Sequence, residues 1–152
     1  MSFPTGFKGD HQRIGSGENY GQGIVLSDNN FENGLIAGRF AKIDNGSIDN
    51  LDASATPVLA GVVIRDIAMP IEDGEAYSDD LYTKVDYQRE GLITVQAVSG
   101  QTPAAFAAIY AENQTPADYG KATTTSGGNA DANAEFIKLV DGANDVWQIR
   151  LK

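Results

Sequence analysis

Apolar residues in this chain recur at every second position, in runs of a few residues, and turn formers interrupt them throughout. In Leu92 to Val98, Ile93, Val95 and Ala97 share one face while Thr94 and Gln96 share the other, the pattern of a half-buried strand. Trp147, Ile149 and Leu151 alternate with Gln148 and Arg150, and Leu81, Val85 and Tyr87 alternate with Tyr82, Lys84 and Asp86. Further strands are predicted over Ile24 to Ser27, Leu35 to Lys42 and Phe136 to Val140. Val58 to Ala68 is apolar on both faces, which suits a central strand covered on both sides, with Gly61 permitting a bulge or a close approach. Between the runs stand Asp28-Asn29-Asn30, Asn45-Gly46, Glu72-Asp73-Gly74, Glu90-Gly91, Ser99-Gly100, Ser126-Gly127-Gly128 and Asp141-Gly142. Of these, Asn45-Gly46 suits a two-residue hairpin because both residues tolerate positive φ. Short strands with frequent turns predict an all-β single domain, a small β-barrel or β-sandwich with at most one short helix.

That helix would be Pro103 to Glu112, with Thr102 as cap and Pro103 at the first position. Its apolar content is continuous rather than striped, so Phe106 to Ala111 is equally a buried strand, and the part ending at Ile109-Tyr110 is read as strand. Residues 113–134 are poor in large apolar groups and predict a long surface loop holding one short edge strand. Trp147 is expected in the core.

With 41% hydrophobic and 21% charged residues, the 152-residue chain can bury a real core. Its net charge of −10 opposes a nucleic-acid partner, since phosphate affinity comes from Lys and Arg. No cysteine is present, which removes disulfides, thiolate metal sites and thiol catalysis. Neither a signal-like stretch nor a membrane-spanning apolar run is seen, so synthesis in the cytoplasm and a soluble chain are expected.

Residues 1–22 form a separate segment: Pro4, Gly6, Gly9, Gly15, Gly17 and Gly21 interrupt any period, while Phe3, Phe7, Ile14 and Tyr20 are widely spaced apolar groups. Two readings stay open, a frayed terminus or an extended arm that orders on a partner surface, ahead of a β domain at 23–152. His11 is the single histidine and lies in this segment, so a zinc site or a Ser-His-Asp triad is not expected, and no cofactor or metal is predicted. Gly15 to Gly21 lacks the third glycine and following helix of a dinucleotide loop. Carboxylates between Asp66 and Glu90 sit mostly in turns, where acid-base hydrolysis would need a geometry that sequence does not supply. The Asp/Asn turns lack full calcium-loop spacing. Tyr77, Tyr82, Tyr87 and Tyr119 could line a sugar-binding face, so a carbohydrate-binding or adhesin-like module is the alternative function, against ordinary strand packing of the same rings.

Laid out in order, the glycine-rich arm, Val58-Leu-Ala-Gly-Val-Val-Ile-Arg-Asp, Tyr87 to Ser99, Ile109-Tyr110, the Gly/Thr/Asn-rich stretch from Gly120 and the closing strand Val146 to Leu151 resemble the tailed-bacteriophage head decoration, or structural cement, proteins. Where such proteins often carry Gly and Asp before the strand matching Ile109-Tyr110, this chain has Thr102-Pro-Ala-Ala-Phe. The resemblance implies an all-β, non-enzymatic protein on the outer surface of the mature head, binding the major capsid protein at seams between subunits. It also implies a homo-oligomer, a trimer favoured, with neither nucleic acid nor membrane as partner. On that reading the capsid-binding residues are Phe3, Phe7, Ile14 and Tyr20 as anchors, Lys8 and Arg13 against coat carboxylates, His11 at the interface, and Pro4 shaping the arm.

Overall fold

A computed structural model of the chain describes residues 20–25, 35–44, 47–53, 57–64, 76–77 and 84–152. Within them the period-two runs become strands. Five close into a barrel in the order β1 (Tyr20–Val25), β4 (Ser47–Asn50), β3 (Phe40–Asp44), β5 (Leu59–Val63) and β7 (Lys84–Gln88). The β1–β4 pair is parallel and its neighbours are antiparallel. A second sheet runs β10 (Ala122–Thr123), β9 (Ala108–Ala111), β11 (Ala130–Asp141), β12 (Val146–Leu151), β8 (Gly91–Gln96). This sheet curls until Ala97, just past β8, bridges Ala122 of β10, with the Val98 amide donating to the Ala122 carbonyl at 2.9 Å. A small ribbon pairs β2 (Leu35–Ile36) with β6 (Ala76–Tyr77). Among the described residues helix is limited to two single 3-10 turns, Pro116–Asp118 and Gly142–Asn144, and none is long and apolar enough to cross a membrane.

Two apolar clusters hold these layers. Leu35, Ala37, Ala41, Ile48, Ala60 and Val63 form one, with Tyr87 packed on it. The other joins Phe40, Leu51, Val62 and Ile64 from the barrel side to Ile93, Val95, Ile109, Phe136, Trp147 and Ile149 of the curled sheet. β5 and the residue that follows it therefore serve both, Ala60 and Val63 facing one cluster and Val62 and Ile64 the other, as the unbroken apolar run predicts. Gly61 sits at a register shift, where Ala41 pairs with Gly61 but Lys42 pairs with Leu59. Burial of these side chains supplies the main stabilising free energy, at about 25 cal/mol per Å² of apolar surface removed from water.

Several local expectations need correction. Leu35 to Lys42 is not one strand: the chain turns at Ala37 to Arg39, letting the Gln96 amide donate to the Gly38 carbonyl and the Phe40 amide to the Gly120 carbonyl. Those bonds dock the barrel onto the sheet. The outer face of β8 is not half-exposed either, because Thr94 (0% exposed) and its cross-strand partner Gln148 (7%) are buried. Residues 113–134 are more than a surface loop with β10 as the expected short strand: Asn113 and Thr123 are fully buried, and β11 begins already at Ala130. The polar side chains there knit the backbone. The Glu112 carboxylate accepts from the amides of Gln114 (2.8 Å) and Thr115 (3.2 Å), and Gln101 Oε1 accepts from the Thr124 amide at 2.9 Å. The stretch ending at Ile109-Tyr110 is strand, as read.

The β11–β12 connection carries a titration consequence. Asp141 accepts from the Asn144 side chain (2.7 Å) and from the Ala143 amide (3.1 Å), which holds its carboxyl below the usual carboxylate range. A depressed folded pKa contributes stability above the unfolded pKa and loses it as pH falls through the folded value. The protection of the Ala143 amide, its exchange rate relative to the intrinsic rate at each pH, is therefore expected to fall on acidification in the natural chain, while Asp141→Ala, which has no acceptor to offer, lacks that protection already at neutral pH. Equal protection in both chains at pH 7 would contradict this.

Candidate functional site

Of the residues expected to form the binding arm, Phe3, Pro4, Phe7, Lys8, His11, Arg13 and Ile14 lie outside the described residues. Tyr20 does not precede the body: it opens β1 and pairs with Gln88 of β7, so the boundary expected after residue 22 falls inside a barrel strand. Backbone pairing needs no apolar side chain, and for that reason the glycines at 21 and 23 concealed the strand.

The partner of Tyr20 in β7 is itself held by several bonds. Gln88, 1% exposed, also pairs with Val62, and its side-chain amide donates to the carbonyls of Glu90 (2.8 Å) and Leu92 (3.0 Å), fixing the β7–β8 turn. Next to it, Arg89 borders an open pocket of about 320 Å³ between barrel and sheet, floored by Phe40, Leu59, Ala132 and Leu151. Arg39 clamps the same two halves elsewhere. Its guanidinium donates to Gln96 Oε1 at 2.9 Å and to the Tyr119 carbonyl at 3.3 Å. Burial pushes the Arg39 pKa down from its ordinary value, against the opposing pull of Asp118.

Of the tyrosines considered for a sugar-binding face, Tyr87 packs on the barrel cluster and Tyr119 on the larger one, so these two do not share a platform. Tyr82 and most carboxylates between Asp66 and Glu90 lie outside the described residues. No group of three His, Cys, Asp or Glu that could hold a metal is found among the described residues.

Sequence reasoning passed over the feature most suited to contact. Phe106 is 65% exposed and stands at φ 62°, in the left-handed region. For a bulky L-residue that conformation costs about 1–2 kcal/mol. The turn is tightly held: the Phe106 amide donates to the Phe136 carbonyl (2.9 Å), the Ala107 amide to the Ala104 carbonyl (3.1 Å), and the Phe136 amide to the Ala107 carbonyl (2.9 Å). The available signal was a lone aromatic in an alanine run, between Glu90 and Glu112, where no other charged residue occurs. Val58 (66% exposed) and Ile43 form a second exposed apolar pair, joined by the Ile43 amide donating to the Val58 carbonyl.

Comparison with known proteins gives this arrangement a context. The family model described as XM1 gp53 minor capsid protein matches residues 1–152. Among solved structures, a chain of "The capsid of Myoviridae Phage XM1" is 36% identical, with a TM-score of 0.75, and the match covers 88% of this chain and 82% of that one. A search of the curated proteins finds no match.

Proposed function

This chain belongs to the XM1 gp53 minor capsid protein family and is a structural protein of a phage capsid; from that premise we propose that it decorates the outer surface of the mature head, where it bridges seams between major capsid protein subunits and stabilises the shell. The observation that carries the reading is the likeness, over most of both chains, to a chain solved within a phage capsid. A protein that binds the closed shell and not the burst one adds its binding free energy to the closed state. Residues 1–19 act as the gripping arm, with Phe3, Phe7 and Ile14 as apolar anchors, Lys8 and Arg13 facing coat carboxylates, and Pro4 and His11 within the contact. Copies associate as a symmetric oligomer, a trimer being favoured, so that each further arm binds at high effective concentration. The body, which carries the −10 charge of the chain, keeps neighbouring loaded heads apart. Its role is mechanical, with no reaction catalysed.

The test is deletion of residues 1–18, which leaves β1 whole. The truncated body is expected to melt as the full chain does, yet to lose co-sedimentation with expanded shells of its own phage by at least about a hundredfold in affinity. Saturation of those shells with unchanged affinity would refute the arm, and failure of the full chain to bind expanded shells would refute the decoration role.

A further inference from the structure

We propose that the pocket beside Arg89 is the resting place of this chain's own residues 14–19 before it meets a shell, with Ile14 seated on the apolar floor and Glu18 facing the Arg89 guanidinium. The inference goes beyond the decoration reading, since it concerns the free protein. Irregular backbone from both sheets builds the pocket. In β5 the register with β3 slips between Leu59 and Gly61, and in β11 the register with β9 slips between Asp131 and Ala134, with Asn133 at φ 49°. Ala60, Gly61, Ala132 and Asn133 all line the space of about 320 Å³ that results. Its floor is apolar and its mouth is charged, which suits a short segment carrying one aliphatic group and one ion.

The course of the chain names the occupant. Tyr20 pairs with Gln88, so residue 20 stands one strand spacing, about 5 Å, from the residue that precedes Arg89. Continuing that register would set Glu18 opposite Glu90, and like charges directly opposed destabilise a ladder. The chain therefore has reason to leave β7 here, at the pocket mouth. Ile14 is the first large apolar residue upstream of Tyr20, and the stretch between them spans up to about 20 Å when extended, with Gly15 and Gly17 to bend on. At the mouth Arg89 is exposed and pairs with no carboxylate among the described residues, its neighbour Glu90 included. Of the other charges there, Asp131 accepts from the Asn133 amide at 2.9 Å and Lys152 stands 3.5 Å from Glu135. Arg89 is thus the cation left for an incoming acid, and Glu18 is the acid in the segment that reaches it. One aliphatic contact and one exposed ion pair make a weak latch, which a coat subunit that binds Ile14 more tightly displaces.

The experiment is methyl NMR on the full chain without shells, labelled at the isoleucine δ1 carbons, with the Ile14 signal assigned by its loss in Ile14→Val. Cross-peaks from the Ile14 methyl to the Phe40 ring and the Leu59 methyls are expected. Arg89→Glu should lower the docked-to-free ratio about threefold, and adding Glu18→Arg to it should restore most of the loss. Arg89 is exposed, so both variants should melt within about 3 °C of the natural chain. An Ile14 methyl with the shift of an unfolded peptide and no such cross-peaks overturns the proposal. So do cross-peaks that appear only between differently labelled copies, which make a second copy the occupant, and a docked ratio that Arg89→Glu leaves unchanged. Every readout is taken on the free chain, so these failures leave the decoration role standing, and failure to bind shells leaves the latch standing.

Discussion

Trp147→Ala is expected to cost about 3–5 kcal/mol of folding stability, the range for truncating a large buried aromatic. The indole is 1% exposed in β12, between Leu139 of β11 and Val95 of β8, and meets the Phe136 ring edge-on with centroids 5.4 Å apart. It belongs to the cluster that also takes Phe40, Val62 and Ile64 from the barrel side, so the void would open where the two halves join. Urea denaturation followed by circular dichroism should show an earlier midpoint, with a fall in melting temperature of roughly 10 °C or more. Trp147→Phe, which keeps an aromatic against Phe136, should lose less than half as much. A midpoint for Trp147→Ala within error of the natural chain would mean the indole does not hold the halves together.

A single methyl group at Gly61 is expected to do comparable damage. Gly61 has φ 150°, and a Cβ built there would stand 2.1 Å from the Gln88 carbonyl oxygen. That oxygen is backbone, in a strand position paired with both Tyr20 and Val62, so it has no flexible end that can swing away. Gly61→Ala should therefore destabilise by more than about 3 kcal/mol or give no folded protein. Gly100→Ala is the control: φ is also positive, at 83°, but nothing lies within 4 Å of the added carbon, so only conformational strain of about 1 kcal/mol applies. Similar melting temperatures for the two variants would exclude steric conflict as the cause. Since Gln88 pairs with the first residue of β1, a body disturbed at Gly61 should also displace the start of that strand.

The elements legible in the sequence are those whose side chains report their surroundings. β5, β8, β9 and β12 carry large or β-branched apolar residues, and their faces follow from alternation or its absence. β11 was only half legible. Ala130, Ala132 and Ala134 alternate with Asp131 and Asn133, but alanine gives a weak apolar signal, and pairing with β9 and β12 decides the matter. β1 was hidden for a related reason, being held by hydrogen bonds to β7 and β4 that glycine makes as well as any residue. Burial of Thr94 and Gln148 was illegible because alternation tells which residues share a face and not whether a second layer covers it. Phe106 escaped notice since strain is a property of φ, which spacing does not encode.

The junction of Ala97 with Ala122 bears on how such chains behave when packed densely. A sheet ordinarily ends in strands whose free amides and carbonyls can recruit a neighbour's strand, the first step toward fibrils. Here the outermost strands of the curled sheet meet each other, and the barrel likewise closes on itself. Among the described residues the curled sheet and the barrel therefore offer little exposed ladder through which densely packed copies could zip together, and the short β2–β6 ribbon is where open edges remain.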